Sequence, residues 1–421
     1  MKVLVVGGGG REHAICWKLK QSPRVTELYC APGNAGIAQV ATCVPIRATA
    51  IEEMTDYARR EKFDLVFVAP DDPLALGLVD HLEEAGIRAY GPRANAAIIE
   101  ASKAFSKDLM RRYDIPTAKY EVFTDTEKAL AYIDREPVPI VVKADGLALG
   151  KGVIIAETRD EAKDAVRSMM LNKAFGTAGN TVVIEECMKG PELTVLAFSD
   201  GKTILPMVSS RDHKRALDHD QGKNTGGMGA VTPGADLTAD DEKVMYDQIF
   251  LPTIAALSRE GRPFVGVIYF GLMLTDQGPR VIEYNARFGD PEAQAVLPRL
   301  ENDLMDIIDA CLDGTLDTIQ LRFKPGASCC VVMASGGYPE SYQTGYPIEG
   351  LDQVETIVFH AGTRQEDGNI VTSGGRVLAV YADAEDLESA IDKAYEGVAK
   401  ISFKHMHYRK DIGRTLSGGV H

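Results

Sequence analysis

The chain has 421 residues, 45% hydrophobic and 25% charged, with a formal net charge of −15. This length exceeds one ordinary core and predicts several domains of a soluble globular protein. The acidic balance argues against nucleic acid or an anionic membrane as partner, so any anionic ligand must be drawn by a local cluster of Lys, Arg and backbone N–H groups. The seven cysteines form no CxxC pair, which suits reduced thiols used as small core residues. Adjacent Cys329 and Cys330 read as the two faces of one strand. No basic-then-apolar leader precedes Lys2, and no apolar run approaches the ~18–20 residues of a membrane span. A cytoplasmic protein with no membrane contact is expected.

In chain order, KVLVV (2–6) reads as a buried strand, and GGGGREHAICWKLK opens a helix. Further strands are expected at ELYCA (27–31), DLVFVA (64–69) and RAYG (88–91), with helical patterns such as IEEMTDYARRE and PLALGLVDHLEEAG between them. This alternation predicts a parallel sheet with helices on both faces. The glycine turn misses the dinucleotide fingerprint: Gly7 and Gly9 fit, but Glu12 takes the place of the third glycine, and no acidic residue follows ~20 positions later to hold a ribose. A Gly-rich turn at a helix N-terminus still presents free N–H groups. It either meets a phosphate or only lets helix and strand pack closely.

ASKAFSKDLMRRY (101–113) predicts a helix stopped by Asp114 and Pro116. An antiparallel set follows, AKYEVF, PIVVKA, GVIIAE and TVVIEE, interrupted by helices at TEKALAYID and TRDEAKDAVRSMM. The second helix starts with Thr158-x-x-Glu161, a capping-box pattern, and Ala162, Ala165, Val166 and Met169 share one face. Between two of these strands lies a glycine loop containing Gly146, Gly150, Lys151 and Gly152. It is no Walker loop: the spacing is short, Gly152 stands where a hydroxyl is needed, and a strand follows instead of a helix. A loop between two strands can fold over a triphosphate from above, with Lys143 reaching a phosphate as a point charge; the alternative is a surface hairpin with a solvated lysine. Glu185, Glu186 and Glu192 are either a solvated strand end or a crossing chain for an adenine with a carboxylate for its ribose.

Residues 191–325 hold strands at ELTVLAF, KTILPMV, FVGVIYFGLML and RVIEYN and a helix at DLMDIIDACLDG. Within them, residues 209–233 look too long and too polar for core structure, which suits a functional loop. In RVIEYNARFGDPEAQ, Glu283 and Asn285 share one strand face. Two oxygen ligands facing one way suit Mg²⁺, and Arg287 can hold a phosphate or carboxylate bidentately; a buried Glu–Arg pair is the alternative. PGASCCVVMAS starts a last unit that ends with strand RVLAVYA and helix DLESAIDKAYEGVAKI.

GGGGREHA, PGNAG (32–36), KADGLALGKGV (143–153), DHKR (212–215), NTGGMG (224–229) and EYNARFGDPE (283–292) together resemble the ATP-grasp superfamily. Within it they are similar to the phosphoribosylamine–glycine ligase, or glycinamide ribonucleotide synthetase, family over nearly the whole chain. The resemblance implies a multidomain α/β and α+β protein. Its units are a Rossmann-like N-terminal domain (1–102), a linker helix with a small ATP-grasp lid (103–190), a central ATP-grasp domain (191–325) and a small C-terminal α+β domain (326–421). It implies ATP-dependent ligation of glycine to 5-phosphoribosylamine through glycyl phosphate, giving glycinamide ribonucleotide, ADP and phosphate, in purine biosynthesis. An ATP-grasp carboxylate–amine ligase with a different acceptor is the alternative. ATP and Mg²⁺ (or Mn²⁺) are the implied cofactors, and a monomer is expected.

The same resemblance assigns residues. Lys103 and Lys143, with Gly150, Lys151 and Gly152, would bind the ATP phosphates. Glu185, Glu186, Met188 and Glu192 would line the adenosine, and Glu283 and Asn285 would hold the metal. Arg287, Asp212 and Lys214 are the expected catalytic set. Gly9, Gly10, Arg11, Asn34, Asn224, Thr225 and Gly226 are the expected substrate contacts. The chain departs from the family pattern at Arg211, Lys223 and Glu340 and lacks an acidic metal ligand near Leu272–Met273.

Overall fold

The computed structural model describes residues 1–147 and 152–414. The first sheet is parallel throughout. Strand Lys2–Gly7 is central, Glu27–Pro32 and Leu65–Val68 flank it, and Thr42–Cys43 and Ala89–Tyr90 form the edges. Val3 to Val6 have no exposed surface, as expected of a strand covered by helices on both faces. The helical pattern after residue 70 splits into Asp71–Ala75 and Leu78–Glu84, because Gly77 between them takes a left-handed conformation (φ 81°). Helix Ala94–Ala101 was not legible in the sequence. Ser102 ends it and caps the next helix, Lys103–Arg112, by accepting a hydrogen bond from the Phe105 N–H.

The second sheet runs in the order Tyr120–Phe123, Val182–Glu186, Ile140–Ala144, Val153–Ala156, all antiparallel. Helices Thr126–Ile133 and Arg159–Met170 contribute Ala129, Ile133, Ala162, Val166 and Met169 to one small core under it. The Thr158/Glu161 capping box forms as expected. The third sheet, also antiparallel, runs Ile204–Pro206, Glu192–Asp200, Val265–Thr275, Gly278–Asn285.

The last sheet corrects one expectation. Its centre is Ala327–Ser335, paired on one side with Arg376–Ala384 and beyond it Ile357–His360, with helix Leu387–Lys400 packed against both long strands. On the other side lies Gly229–Thr232, then Arg211–Asp212. Residues 209–233, expected to be too polar for core structure, therefore supply two core-sheet strands, and Gly229–Thr232 is wholly buried. The reason is local: the apolar run GAVT is short and follows directly on a polar glycine run that hides it. Cys329 and Cys330 stand side by side on the central strand as buried free thiols.

The first and last sheets share a seam. The His360 N–H donates to His13 Nδ1 at 2.8 Å, His360 Nδ1 lies 3.1 Å from Thr363 Oγ1, and Asn34 Nδ2 donates to the Gly8 and His360 carbonyls at 2.9 and 2.8 Å. Burial lowers the His13 imidazole to about 3, with His360 adding to the effect, and lowers His360 to about 4. Both rings are therefore neutral in the folded protein, while the unfolded chain takes protons below about pH 6.5. Their contribution to stability is full above pH 6.5 and is lost as pH falls towards 4. We expect the wild-type melting temperature to drop by roughly 5 °C or more across that window. His13→Asn and His360→Asn should flatten the slope in a thermal-shift series; an unchanged slope would remove the two histidines from the acid response.

Candidate functional site

A cleft of about 1860 Å³ opens between the second and third sheets and reaches the first and last. Its floor is built on strand alternation. Lys143 and Val141 share one face of Ile140–Ala144, and Glu185 lies opposite Val141 on the neighbouring strand, so lysine and glutamate project together. Lys143 Nζ is 2.9 Å from Glu185 Oε2, and Lys107 Nζ, from helix Lys103–Arg112, is 3.1 Å from the same oxygen. All three side chains are buried. Burial alone would raise the Glu185 carboxyl, but Lys143 and Lys107 outweigh it and hold it below the usual range. Glu185 Oε1 has no hydrogen-bond partner among the described residues. Lys107 was missed in the sequence, although it lies one turn after Lys103 on the same helix face.

Lys103 donates to the Gly146 carbonyl at 3.0 Å, and Asp145 braces this corner by accepting from Ser102 Oγ and the Ala104 N–H. Gly152 lines the cleft; Gly150 and Lys151 lie outside the described residues. Met188 and Glu192 line the cleft further out. Glu186 accepts from the Lys119 N–H at 2.8 Å and pairs with Arg280 at 2.9 Å, tying the second sheet to the third at the back of the cleft.

On the opposite wall, Glu283 and Asn285 project from Gly278–Asn285 into the cleft as expected. Burial would raise the Glu283 carboxyl, but Lys214, Lys143, Lys103 and Arg287 hold it below the ordinary value. Lys214 Nζ sits 3.2 Å from Glu192 and 3.8 Å from Glu283. The strand stops at Asn285, yet Arg287 stays alongside, its Nη2 donating to Asn285 Oδ1 at 3.0 Å and pairing with Glu100 at 2.8 Å. Arg287 lines the cleft and also belongs to a buried ion pair with Glu100.

Asp212 and Glu292 line the same wall. Burial raises both carboxyls. Glu292, Glu192 and Glu283 push Asp212 further up, while Lys214 opposes. Asp212 is a further carboxyl close enough to Glu283 for the two to interact, and Met273 lines the same cleft. Among the described residues no three His, Cys, Asp or Glu side chains converge as a ready-made metal cage. One carboxylate and one amide oxygen suit a Mg²⁺ ion that takes its remaining ligands from phosphates and water.

Asn224, Thr225 and Gly226 line the far end of the cleft. Thr225 Oγ1 donates to the Lys214 carbonyl at 2.8 Å, and Arg376 from the last sheet donates to the Gly226 and Asp290 carbonyls at 2.7 and 2.6 Å. Two family departures meet nearby, where Lys223 forms an ion pair with Glu340. Arg11 reaches the cleft, donating to Glu12 and to the Phe288 carbonyl. Gly9 and Gly10 sit behind it: the Gly9 N–H is taken by Glu12 Oε2 at 2.6 Å, and a Cβ on Gly10 would strike Gln294. The Asn34 side chain is engaged by the backbone of Gly8, Gly36, Ile37 and His360, apart from the cleft.

The lysine-lined cleft between two antiparallel sheets defines an ATP-grasp protein. Three phosphoribosylglycinamide synthetase family models match in chain order: the N domain over residues 1–100, the ATP-grasp (A) domain over 101–293 and the C domain over 328–415. The chain belongs to the phosphoribosylglycinamide synthetase family. It is 50% identical to a phosphoribosylamine–glycine ligase of Halalkalibacterium halodurans over 98% of this chain and 96% of that one. It is 46% identical to the ligase of that name from Caldanaerobacter subterraneus, covering 98% and 99%. The crystal structure of the phosphoribosylamine–glycine ligase from Thermotoga maritima is similar at a TM-score of 0.87 and 32% identity, over 98% of this chain and all of that one. A biotin carboxylase domain from Hydrogenobacter thermophilus shares the fold at a TM-score of 0.71 and 16% identity, covering 96% and 91%.

The chain crossing at the cleft's outer edge depends on Gly190. Its φ is 145°, and a Cβ there would run into the Leu274 carbonyl. Gly190→Ala should cost about 1–3 kcal/mol in urea unfolding and displace the cleft-lining Met188 and Glu192, which, if the cleft takes ATP, should lower nucleotide affinity. A variant as stable as wild type with unchanged nucleotide affinity would show that this crossing is not held by the glycine.

Proposed function

We propose that the protein joins glycine to 5-phosphoribosylamine with cleavage of ATP to ADP and phosphate, forming glycinamide ribonucleotide for purine biosynthesis. The observation that carries this reading is the pair Lys103 and Lys143 facing Glu283, Asn285, Arg287 and Lys214 across one cleft, in a chain whose relatives bear the corresponding name over 98% of its length.

A carboxylate is a poor acyl donor, since its charge is delocalised and it has no good leaving group. Transfer of the ATP γ-phosphoryl group to a glycine carboxylate oxygen gives glycyl phosphate. The phosphoribosylamine nitrogen then attacks the acyl carbon, phosphate departs with the C–O bond electrons, and the nitrogen loses a proton. Lys103 and Lys143 neutralise the transferring phosphoryl group from the lid side, and Arg287 from the opposite wall; catalysis is positioning and charge stabilisation. Glu283 and Asn285 would hold Mg²⁺ or Mn²⁺, which when bound offsets phosphate charge. The free oxygen of Glu185 suits the exocyclic amine of adenine, Met188 offers backbone groups to the base, and Glu192 a carboxylate to the ribose. Asp212 and Lys214 face the glycine end. Glycyl phosphate hydrolyses readily, so residues 103–190 act as a lid that excludes water.

The phosphoribosylamine phosphate is assigned to Arg11 beside the Gly8–Gly10 turn, which Asn34 braces, with Asn224, Thr225 and Gly226 closing the far end. We take 1–102, 103–190, 191–325 and 326–421 as the functional units of a cytoplasmic monomer. No helix among the described residues is long and apolar enough to cross a membrane.

A coupled ADP-release assay tests the reading. Turnover should require glycine and phosphoribosylamine together; turnover with a different amine acceptor and none with phosphoribosylamine would replace it. Lys143→Ala should lower the rate ~10²-fold or more in a protein that still melts cooperatively, and near-normal turnover would remove Lys143 from the mechanism. Glu283→Ala should shift the half-saturating Mg²⁺ concentration upward ~10-fold or more; an identical Mg²⁺ titration would assign the metal elsewhere.

A further inference from the structure

Glu100 lies outside every site residue assigned above, in the last turn of helix Ala94–Ala101, three residues before Lys103. Only 8% of its surface is exposed. Its carboxylate is used on both sides: Oε1 pairs with Arg287 Nη2 at 2.8 Å, and Oε2 accepts from the Ala286 N–H at 2.7 Å. One residue thereby holds both the guanidinium and the backbone of the segment just past the end of strand Gly278–Asn285. That segment needs an external support, because the cross-strand pairing with Val265–Thr275 stops at Tyr269↔Asn285. The other Arg287 contacts, to Asn285 Oδ1 at 3.0 Å and to the Phe288 carbonyl at 3.2 Å, are to near neighbours in the chain and move with it. Glu100 pairs with Arg287 from a different part of the chain, where the carboxylate of Asp71, also remote in sequence, adds a charge interaction with the same guanidinium. Arg287 Nε, buried, has no partner among the described residues.

We propose that Glu100 is the positioning residue of Arg287: it sets the guanidinium's orientation towards the transferring phosphoryl group and links the helix leading into Lys103 to the reacting end of the cleft. The proposal rests on the ligase reading above. A helix-to-strand tie with no bearing on Arg287 would have the same carboxylate in place, but it would act through stability alone and independently of residue 287.

A double-mutant cycle separates the two. Glu100→Gln keeps an oxygen for the Ala286 N–H and turns an NH₂ group towards Arg287. Glycine-dependent ADP release by the full-length protein is measured for wild type, Glu100→Gln, Arg287→Lys and the pair, with KM for ATP and the melting temperature alongside. The expected result is a ~10–100-fold fall in kcat for Glu100→Gln, with KM for ATP within about twofold. Adding Glu100→Gln to Arg287→Lys should then change kcat by less than about twofold, since residues acting through one another are not additive. Losses that multiply in the pair, or a fall in kcat that merely tracks a lowered melting temperature, would overturn the proposal. If Glu100→Gln lowers the melting temperature markedly, Glu100→Asp, which keeps the charge on a shorter side chain, replaces it in the same cycle. Wild type without glycine-dependent ADP release would overturn the ligase reading itself, a result distinct from an active wild type whose two variants multiply.

Discussion

One buried carboxylate, Glu185, shared by Lys143 and Lys107, is the contact on which the cleft depends. Removing Glu185 would leave two ammonium groups uncompensated in a low-dielectric setting, at a cost of about 3–5 kcal/mol. The arrangement is held by backbone on three sides: Lys143 and Glu185 on adjacent strands, Lys107 on the linker helix. From Lys107 the contacts continue to Thr117 Oγ1 at 2.7 Å and from that hydroxyl to the Val281 carbonyl at 2.7 Å. Val281 is two residues before Glu283 on the same strand. Lys143 and Lys107 on one wall and the strand carrying Glu283 on the other are thus tied by one continuous set of polar contacts.

The electrostatics follow from that geometry. A chain of net charge −15 would repel ATP, phosphoribosylamine and glycyl phosphate alike. The cleft reverses the sign locally by gathering Lys103, Lys107, Lys143, Lys214, Arg11 and Arg287 along one crevice, where low-dielectric walls focus their field. The carboxylates among them are not neutralised uniformly. Glu185 and Glu283 are surrounded by cations and stay ionised, while burial raises Asp212 and Glu292, and Glu292 pushes Asp212 further up. Two kinds of acid in one crevice suit a reaction in which one group meets a metal and another meets an amine.

The last unit contributes more than bulk. Arg211–Asp212 and Gly229–Thr232 are strands of its sheet, so the orientation of Asp212 is set by pairing that reaches through to Ala327–Ser335. Arg376, on that sheet's longest flank, grips the Gly226 and Asp290 carbonyls from outside. The functional loop and the C-terminal unit form one construction, although the family models place their A and C domains in separate stretches of chain.

Much of this was legible in the residues. The parallel sheet, the capping box at Thr158, the antiparallel pairing of Ile140–Ala144 with Val153–Ala156 and the shared face of Glu283 and Asn285 all rest on period, cap and turn chemistry, which act within a few residues and so are written locally. Other features were not legible, because they exist only where distant segments meet. The buried strand Gly229–Thr232 is too short to display a period and owes its burial to Ala327–Ser335. Glu12 reads as a failed fingerprint residue and becomes the acceptor of the Gly9 N–H. Lys107 looks like an ordinary helix charge, and Glu100 carries no local signal, until Glu185 and Arg287 approach them from more than seventy positions away in the chain. Local covalent order determined the elements and the chemistry they carry; long-range packing decided which charges are neutralised, since the strength of an ion pair depends on distance and solvent access that only the folded chain sets.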